Sequence, residues 1–97
     1  MIRHIVFFTA KRPEDIGAIQ RLLRRLGEIP HALAFEVAAN AMIDPIGEAA
    51  DIVVYGEFAD EGALAAWKAH PLYDETTRAV RPLRELRWSA DFRSALA

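Results

Sequence analysis

The feature that most constrains this chain is the presence of strand-like segments that are apolar on both faces. Two segments have this property: residues 2–9 and residues 51–58. In the first, Ile5 and Phe7 point to one side, whereas Val6 and Phe8 point to the other. Strands of this kind are usual in parallel sheets, which helices cover on both faces. This chain has too few helices for that arrangement, so one face of its sheet needs another cover.

The remaining periodicities give the order of the elements. The predicted elements are a strand at 2–9, a helix from Pro13 to Gly27, strands at 33–39 and 51–58, helical stretches from Asp60 to His70 and over 71–80, and a strand at 85–93. Two helices pack on one face of a four-stranded sheet. We therefore expect one α+β domain over residues 1–97, with a ferredoxin-like βαββαβ fold, an antiparallel sheet and helices on one face. The open, apolar face should pair with a second copy of the chain, and Phe7 should lie on it.

Charge and composition limit the classes of binding partner that we expect. The 97 residues carry a formal net charge of −2, which gives no reason to expect nucleic acid or an anionic membrane as a partner. The chain contains no cysteine, and none of its apolar runs approaches the roughly 20 residues of a membrane span. Its apolar N-terminal run is too short for a signal peptide. A cytoplasmic homodimer is the expectation.

Several short motifs together resemble a known family. They are Met1-Ile2-Arg3-His4-Ile5-Val6, Glu28-Ile29-Pro30 before Phe35-Glu36-Val37, Ala69-His70-Pro71, and the terminal Asp91-Phe92. With them the chain resembles the stress-responsive A/B barrel domain family over nearly its whole length. The resemblance implies a dimeric α+β barrel. Members of that family include a plant polyketide cyclase, stress-induced stable oligomers and antimicrobial proteins.

Only part of the cyclase site is matched by residues of this chain. Tyr73 stands where the cyclase has its catalytic histidine, and Trp67 stands where it has the assisting tyrosine. The cyclase mechanism is therefore not carried over to this chain. His4 matches a histidine on the first strand of the cyclase that lines the substrate pocket, so the resemblance implies a pocket role for His4.

The candidate catalytic residues are His4 and Tyr73. His4 shares a side of its strand with Val6 and Phe8, which we assign to the helix layer. It could serve as a general base or hydrogen-bond donor to a ligand, or as a structural histidine bonded to a carboxylate such as Asp91. The expected ligand pocket is lined by Val6, Phe8, Leu22, Trp67 and Tyr73. The aromatic members of this set could equally be plain core residues.

Other polar residues have structural explanations, and some of them could also line a pocket. Arg87, Ser89 and Asp91 alternate on the last strand and either protect a sheet edge or line a polar pocket. Residues 78, 81 and 84 are arginines three apart, which predicts a solvated basic stripe on a helix. His70 is expected to cap the broken helix end.

No metal or cofactor is expected, because the histidines lack metal-binding spacing and none stands out as a haem ligand.

Two functions of different classes follow. In the first, the domain binds a small, apolar, oxygenated molecule between sheet and helices, with cofactor-free proton transfer as its chemistry. In the second, it is a stress-related structural protein whose stable oligomer is its function. A cavity of a few hundred Å³ that touches His4 would favour the first. If Trp67 and Tyr73 fill the space beside His4, the first function loses its physical basis there.

Overall fold

The four strands form one antiparallel sheet in a computed structural model that describes residues 1–96. The strands are β1 (Ile2–Ala10), β2 (Ala32–Ala39), β3 (Ile52–Phe58) and β4 (Arg84–Arg93), and the α-helices are α1 (Ile16–Arg24), α2 (Glu61–Ala69) and α3 (Pro71–Val80). The strand order is β2-β3-β1-β4. The predicted ferredoxin-like order is confirmed, with the second helix in two pieces. Ala97, which belongs to the predicted domain, lies outside the described residues.

The first helical segment is less regular than predicted, because only its middle part is α-helical. A 3-10 turn at Pro13–Asp15 leads into α1, and a second 3-10 turn at Arg25–Glu28 follows it. Gly27 therefore lies inside this final turn and does not end the helix. A Cβ atom at Gly27 would lie 3.3 Å from the ring of Phe35, so the missing side chain makes room for an aromatic residue of β2.

Local capping explains the break between α2 and α3. Asp60 accepts a hydrogen bond from the backbone N–H of Ala63 at 2.8 Å, which caps α2 as predicted. Pro71 keeps His70 extended, at φ −66° and ψ 138°. The His70 Nδ1 atom accepts from the N–H of Leu72 at 3.1 Å, which confirms its predicted role as a cap. No helix within residues 1–96 is long and apolar enough to cross a membrane.

The two faces of the sheet have different surroundings. On β1, the residues Ile2, His4, Val6 and Phe8 are buried against the helices, as predicted for His4 and its neighbours. The other face, which we call the outer face, carries Ile5 and Phe7 from β1 and Val53 and Tyr55 from β3, together with β4 residues such as Trp88 and Phe92.

Large apolar side chains remain exposed on the outer face. Trp88 is 44% exposed and Phe92 is 47% exposed. The ring of Phe7 stacks on Trp88 with a centroid distance of 5.5 Å. Tyr55 adds a polar group here, since its hydroxyl accepts from Arg3 and donates to Glu57, each at 2.5 Å. No helix of the described chain covers this face.

Candidate functional site

A histidine–carboxylate pair lies on the inner face of the sheet. Because β1 is a central strand, His4 stands between Gly56 of β3 and Asp91 of β4. The His4 side chain is 2% exposed, and its Nδ1 atom lies 2.5 Å from Oδ1 of Asp91. A carboxylate accepts hydrogen bonds, so Nδ1 carries the proton of the neutral ring and Nε2 keeps a free lone pair.

Burial controls the charge of this histidine. Removal from water lowers the pKa of His4 below its ordinary value of 6.5, and the positive charges of Lys68 and Arg87 act in the same direction. Asp91 opposes this shift through its hydrogen bond and its negative charge, but burial is the larger effect. His4 is therefore neutral at pH 7, with the nitrogen of a general base at Nε2.

The lowered pKa of His4 predicts a pH-dependent stability. Between the lowered value and 6.5 the unfolded chain binds more protons than the folded one, so the free energy of unfolding decreases as pH falls through this interval. The slope from one such group reaches at most about 1.4 kcal/mol per pH unit. We expect urea unfolding between pH 7.5 and 5 to show this loss, and His4→Phe to reduce the slope. An unchanged slope in that variant would assign the pH dependence to other groups.

An aromatic cluster surrounds the buried side of His4, with Trp67 at its centre. Trp67 is 1% exposed, and its ring centroid lies 5.9 Å from that of His4 and 5.3 Å from that of Tyr73. Phe58 packs on the same indole at 5.2 Å. The indole Nε1–H is buried and has no hydrogen-bond partner within the described chain. A buried donor of this kind is unsatisfied without a bound water or ligand atom.

Two adjoining cavities lie between α3 and the inner face of the sheet. The inner cavity, of about 20 Å³, is lined by His4, Val6, Phe8, Leu23, Leu26, Val54, Trp67, Tyr73, Thr77 and Arg87. The outer cavity, of about 260 Å³, is lined by Phe8, Leu23, Tyr73, Thr77, Val80, Arg81, Arg84 and Arg87. The inner cavity has room for a single water-sized group. The two share Phe8, Leu23, Tyr73, Thr77 and Arg87.

The structure places most of the sequence-predicted pocket residues together. Val6, Phe8, Trp67 and Tyr73 all line the inner cavity, and two of them also line the outer one. Leu22 lines neither cavity. Its neighbour Leu23, 1% exposed, takes the predicted place, because successive residues of a helix point in directions about 100° apart.

The cavity of about 260 Å³ does not touch His4, because Trp67 and Tyr73 fill most of the space beside its ring, so the space for a ligand lies mainly in the outer cavity. One expectation about this region is wrong: the three arginines do not form a stripe on a helix. The helix α3 ends at Val80, so Arg84 belongs to β4 and lines the outer cavity.

Sequence reasoning missed part of the outer cavity. Thr77, Val80 and Arg81 come from the last turn and the end of α3. The sequence did contain one indication of a polar cavity: Arg87 and Asp91 are charged residues at alternating positions of the last strand, and both lie on the inner face of the sheet. Both readings of that alternation apply, because β4 is an edge strand and Arg87 also lines both cavities.

Comparison with known proteins identifies the family of this chain. The sequence model of the stress-responsive A/B barrel domain matches residues 2–94. The chain belongs to this family. No curated protein matches the sequence of this A/B barrel domain. Within residues 1–96, no three His, Asp or Glu side chains are grouped so that they could hold a metal ion.

Solved structures share the fold over almost the entire chain. A protein of the same family from Mesorhizobium loti is 26% identical, with a TM-score of 0.79 over 96% of this chain and 95% of that one. A dimeric ferredoxin-like protein of unknown function from Thermobifida fusca is 21% identical, with a TM-score of 0.81 over 96% and 90%. An antibiotic biosynthesis monooxygenase is 20% identical, with a TM-score of 0.78 over 98% and 99%. The last two similarities show the fold alone.

Proposed function

We propose that this A/B barrel domain binds a small, largely apolar, oxygenated molecule in the cleft between α3 and the sheet. One observation carries the proposal: a cavity of about 260 Å³ adjoins a second, water-sized one that is lined by His4, which is paired with Asp91, and by Trp67, whose indole N–H has no partner within residues 1–96. Ligand sites are typically apolar concave spaces with a few polar groups that fix orientation.

The two cavities suit different parts of a ligand. Phe8, Leu23 and Val80 give the outer cavity an apolar wall for the body of the molecule. The inner cavity, lined by His4 and Trp67, has room for a single oxygen, and we expect the N–H of Trp67 to donate to that oxygen and Nε2 of His4 to accept from it. An unsatisfied buried donor costs about 1–3 kcal/mol, so an oxygen atom placed there recovers part of that energy.

Proton transfer is the chemistry that this arrangement supports. Asp91 fixes the tautomer of His4 with its lone pair at Nε2, and the lowered pKa keeps the ring neutral and able to accept a proton. Tyr73 lines both cavities and is the second candidate for a catalytic role. Only a group small enough for the inner cavity can reach His4, which favours a hydroxyl or carbonyl as the reacting part of the molecule.

Tryptophan fluorescence offers a direct test of binding. The chain has two tryptophans, so Trp88→Phe leaves Trp67 as the only reporter at the inner cavity. We expect titration with phenol or benzamide to change the emission of Trp67 in a saturable way. Thr77→Phe, which fills the outer cavity, should abolish the change. A signal that survives in that variant would place binding elsewhere, and no signal with any probe would contradict the proposal.

A second function is favoured by the packing beside His4. Trp67 and Tyr73 leave only about 20 Å³ there, which suits a stress-related structural protein whose stable oligomer is its function. In that case His4 is a core residue satisfied by Asp91. The two functions differ in the fluorescence titration, since the structural one predicts no saturable change.

For both functions we propose a homodimer formed through the outer face. The exposed Trp88 and Phe92 support it, since contiguous apolar patches commonly mark interfaces between proteins. Solved relatives with this fold from Thermobifida fusca and Bacteroides fragilis are described as dimeric. The helices already bury the inner face, so the outer face is the one available for pairing.

A further inference from the structure

We infer that the molecule bound in the cleft is a carboxylate, held by Arg84 and Arg87 at the mouth of the outer cavity. This inference rests on the proposed function and assigns the chemical class of its ligand. It starts from the side chains among residues 1–96 that line the outer cavity: three of the eight are arginines, and none is acidic.

The positive charge of the cleft is local. The chain has 14 acidic and 12 basic residues and a formal net charge of −2, so a cavity with three arginines and no acid departs from the average surface. Like charges that share a small space repel each other, which costs free energy unless an anion lies between them. The same charges attract an anionic ligand into the cleft.

Within the described part of the chain, these guanidinium groups also form no ion pair. Four other arginines form ion pairs with carboxylates: Arg3 with Glu57, Arg12 with Glu14 and Asp15, Arg78 with Asp74, and Arg93 with Glu61. Arg21, Arg24 and Arg25 of the first helical segment form no ion pair within residues 1–96, but they do not line the outer cavity. Within residues 1–96, no carboxylate oxygen lies within 4.0 Å of the side-chain nitrogens of Arg81, Arg84 or Arg87. Their donors are free to bind a ligand.

The three arginines do not contribute equally. Arg81 directly follows α3, where a cation stabilises the negative end of the helix dipole, so its position has a structural explanation. Arg84 and Arg87 lie on the edge strand β4, so the helix dipole does not explain their place in the cavity, although Arg87 also protects the sheet edge. Arg84 is half-buried, and the guanidinium carbon of Arg87 lies 6.0 Å from the centroid of the Phe8 ring. This contact holds Arg87 against the apolar wall of the cavity.

The chemistry of the lining selects the class of anion. A guanidinium group is a planar fork of donors that matches the two oxygens of a carboxylate. The apolar wall formed by Phe8, Leu23 and Val80 requires an apolar body beside that group. A small aromatic or branched aliphatic acid meets both requirements, with its carboxylate at the arginines and its body in the outer cavity.

Two pairs of probes with matched shapes distinguish the effect of charge from the effect of shape. Benzoate and benzamide differ in charge but hardly in size, and 1-naphthoate and 1-naphthamide form a larger pair. We expect each acid to bind the Trp88→Phe protein at least tenfold more tightly than its amide, as measured by Trp67 emission and by calorimetry. Its affinity should fall as the salt concentration rises, because salt screens the attraction between the charges.

Arginine variants assign the preference to particular side chains. Arg84→Gln and Arg87→Gln should each weaken benzoate binding at least fivefold and leave benzamide binding nearly unchanged. Arg78→Gln is the matched control, because Arg78 is exposed, pairs with Asp74 and lines neither cavity. Equal affinity for acid and amide would overturn the carboxylate inference and leave the proposed function standing. Failure of all four probes to bind would overturn both.

Discussion

Replacement of Phe7 by aspartate is expected to convert the proposed homodimer into a folded monomer. Phe7 lies on the outer face and stacks on Trp88 at 5.5 Å, so its substitution puts a carboxylate into the centre of the proposed interface. An unpaired buried charge costs about 3–5 kcal/mol. At about 1.4 kcal/mol for each tenfold change, dimer dissociation should become at least a hundredfold easier.

The measurement is the mass in dilute solution, by light scattering or sedimentation at micromolar concentration. Phe7 is only half-buried in the isolated chain, so the new carboxylate stays in contact with water and the monomer should keep its circular dichroism spectrum. Ala66→Asp is the control, because it adds the same charge to an exposed position of α2 in the helix layer. A Phe7→Asp protein that stays dimeric would show that the outer face is not the interface.

Replacement of Trp67 by alanine is expected to have the largest effect on stability. Trp67 is 1% exposed and packs against the rings of His4, Phe58 and Tyr73. A change from tryptophan to alanine in a core costs about 3–5 kcal/mol, because it removes apolar burial and leaves a cavity. For a domain of this size we expect Tm to fall by about 15–30 °C at fixed protein concentration, as measured by calorimetry.

Two variants separate packing from the other roles of tryptophan. Trp67→Phe keeps an aromatic ring in place and removes no hydrogen bond among residues 1–96, since the indole N–H has no partner there. Its loss of Tm should therefore be less than half as large. Trp88→Ala removes the same side chain from the outer face, where it is 44% exposed. This change should weaken dimerisation more than it weakens the folding of the monomer. A small effect of Trp67→Ala would mean that the cluster is not the centre of the core.

Much of the fold was predictable because its signals are local. Alternation identified the inner side of β1, and Pro71 identified the break in the helix layer, since proline restricts the residue before it wherever the pair occurs. The end of the first helix was predicted wrongly at Gly27. That glycine lies in a 3-10 turn beside the ring of Phe35, and this close approach depends on a strand that comes later in the chain.

The candidate site was only partly predictable, because its geometry depends on distant segments. The His4–Asp91 pair joins residues 87 positions apart and follows from the register of two neighbouring strands. Periodicity indicated that both residues belong to strands and did not give the distance between them. The choice of Leu23 over Leu22, and the place of Arg84 in the cavity, depend on how α1 and α3 rotate and end against the sheet.

By itself, the sequence determined that one sheet would have two apolar faces and too few helices to cover both. That conclusion depends only on the alternation of side chains along β1 and β3 and on the number of helical segments. Tertiary structure alone decided what lies beside His4, because the packing of Trp67 and Tyr73 against its ring is a matter of shape and volume in three dimensions. Because these two side chains fill the space beside His4, the larger of the two cavities lies next to the arginines of β4 and not next to the histidine.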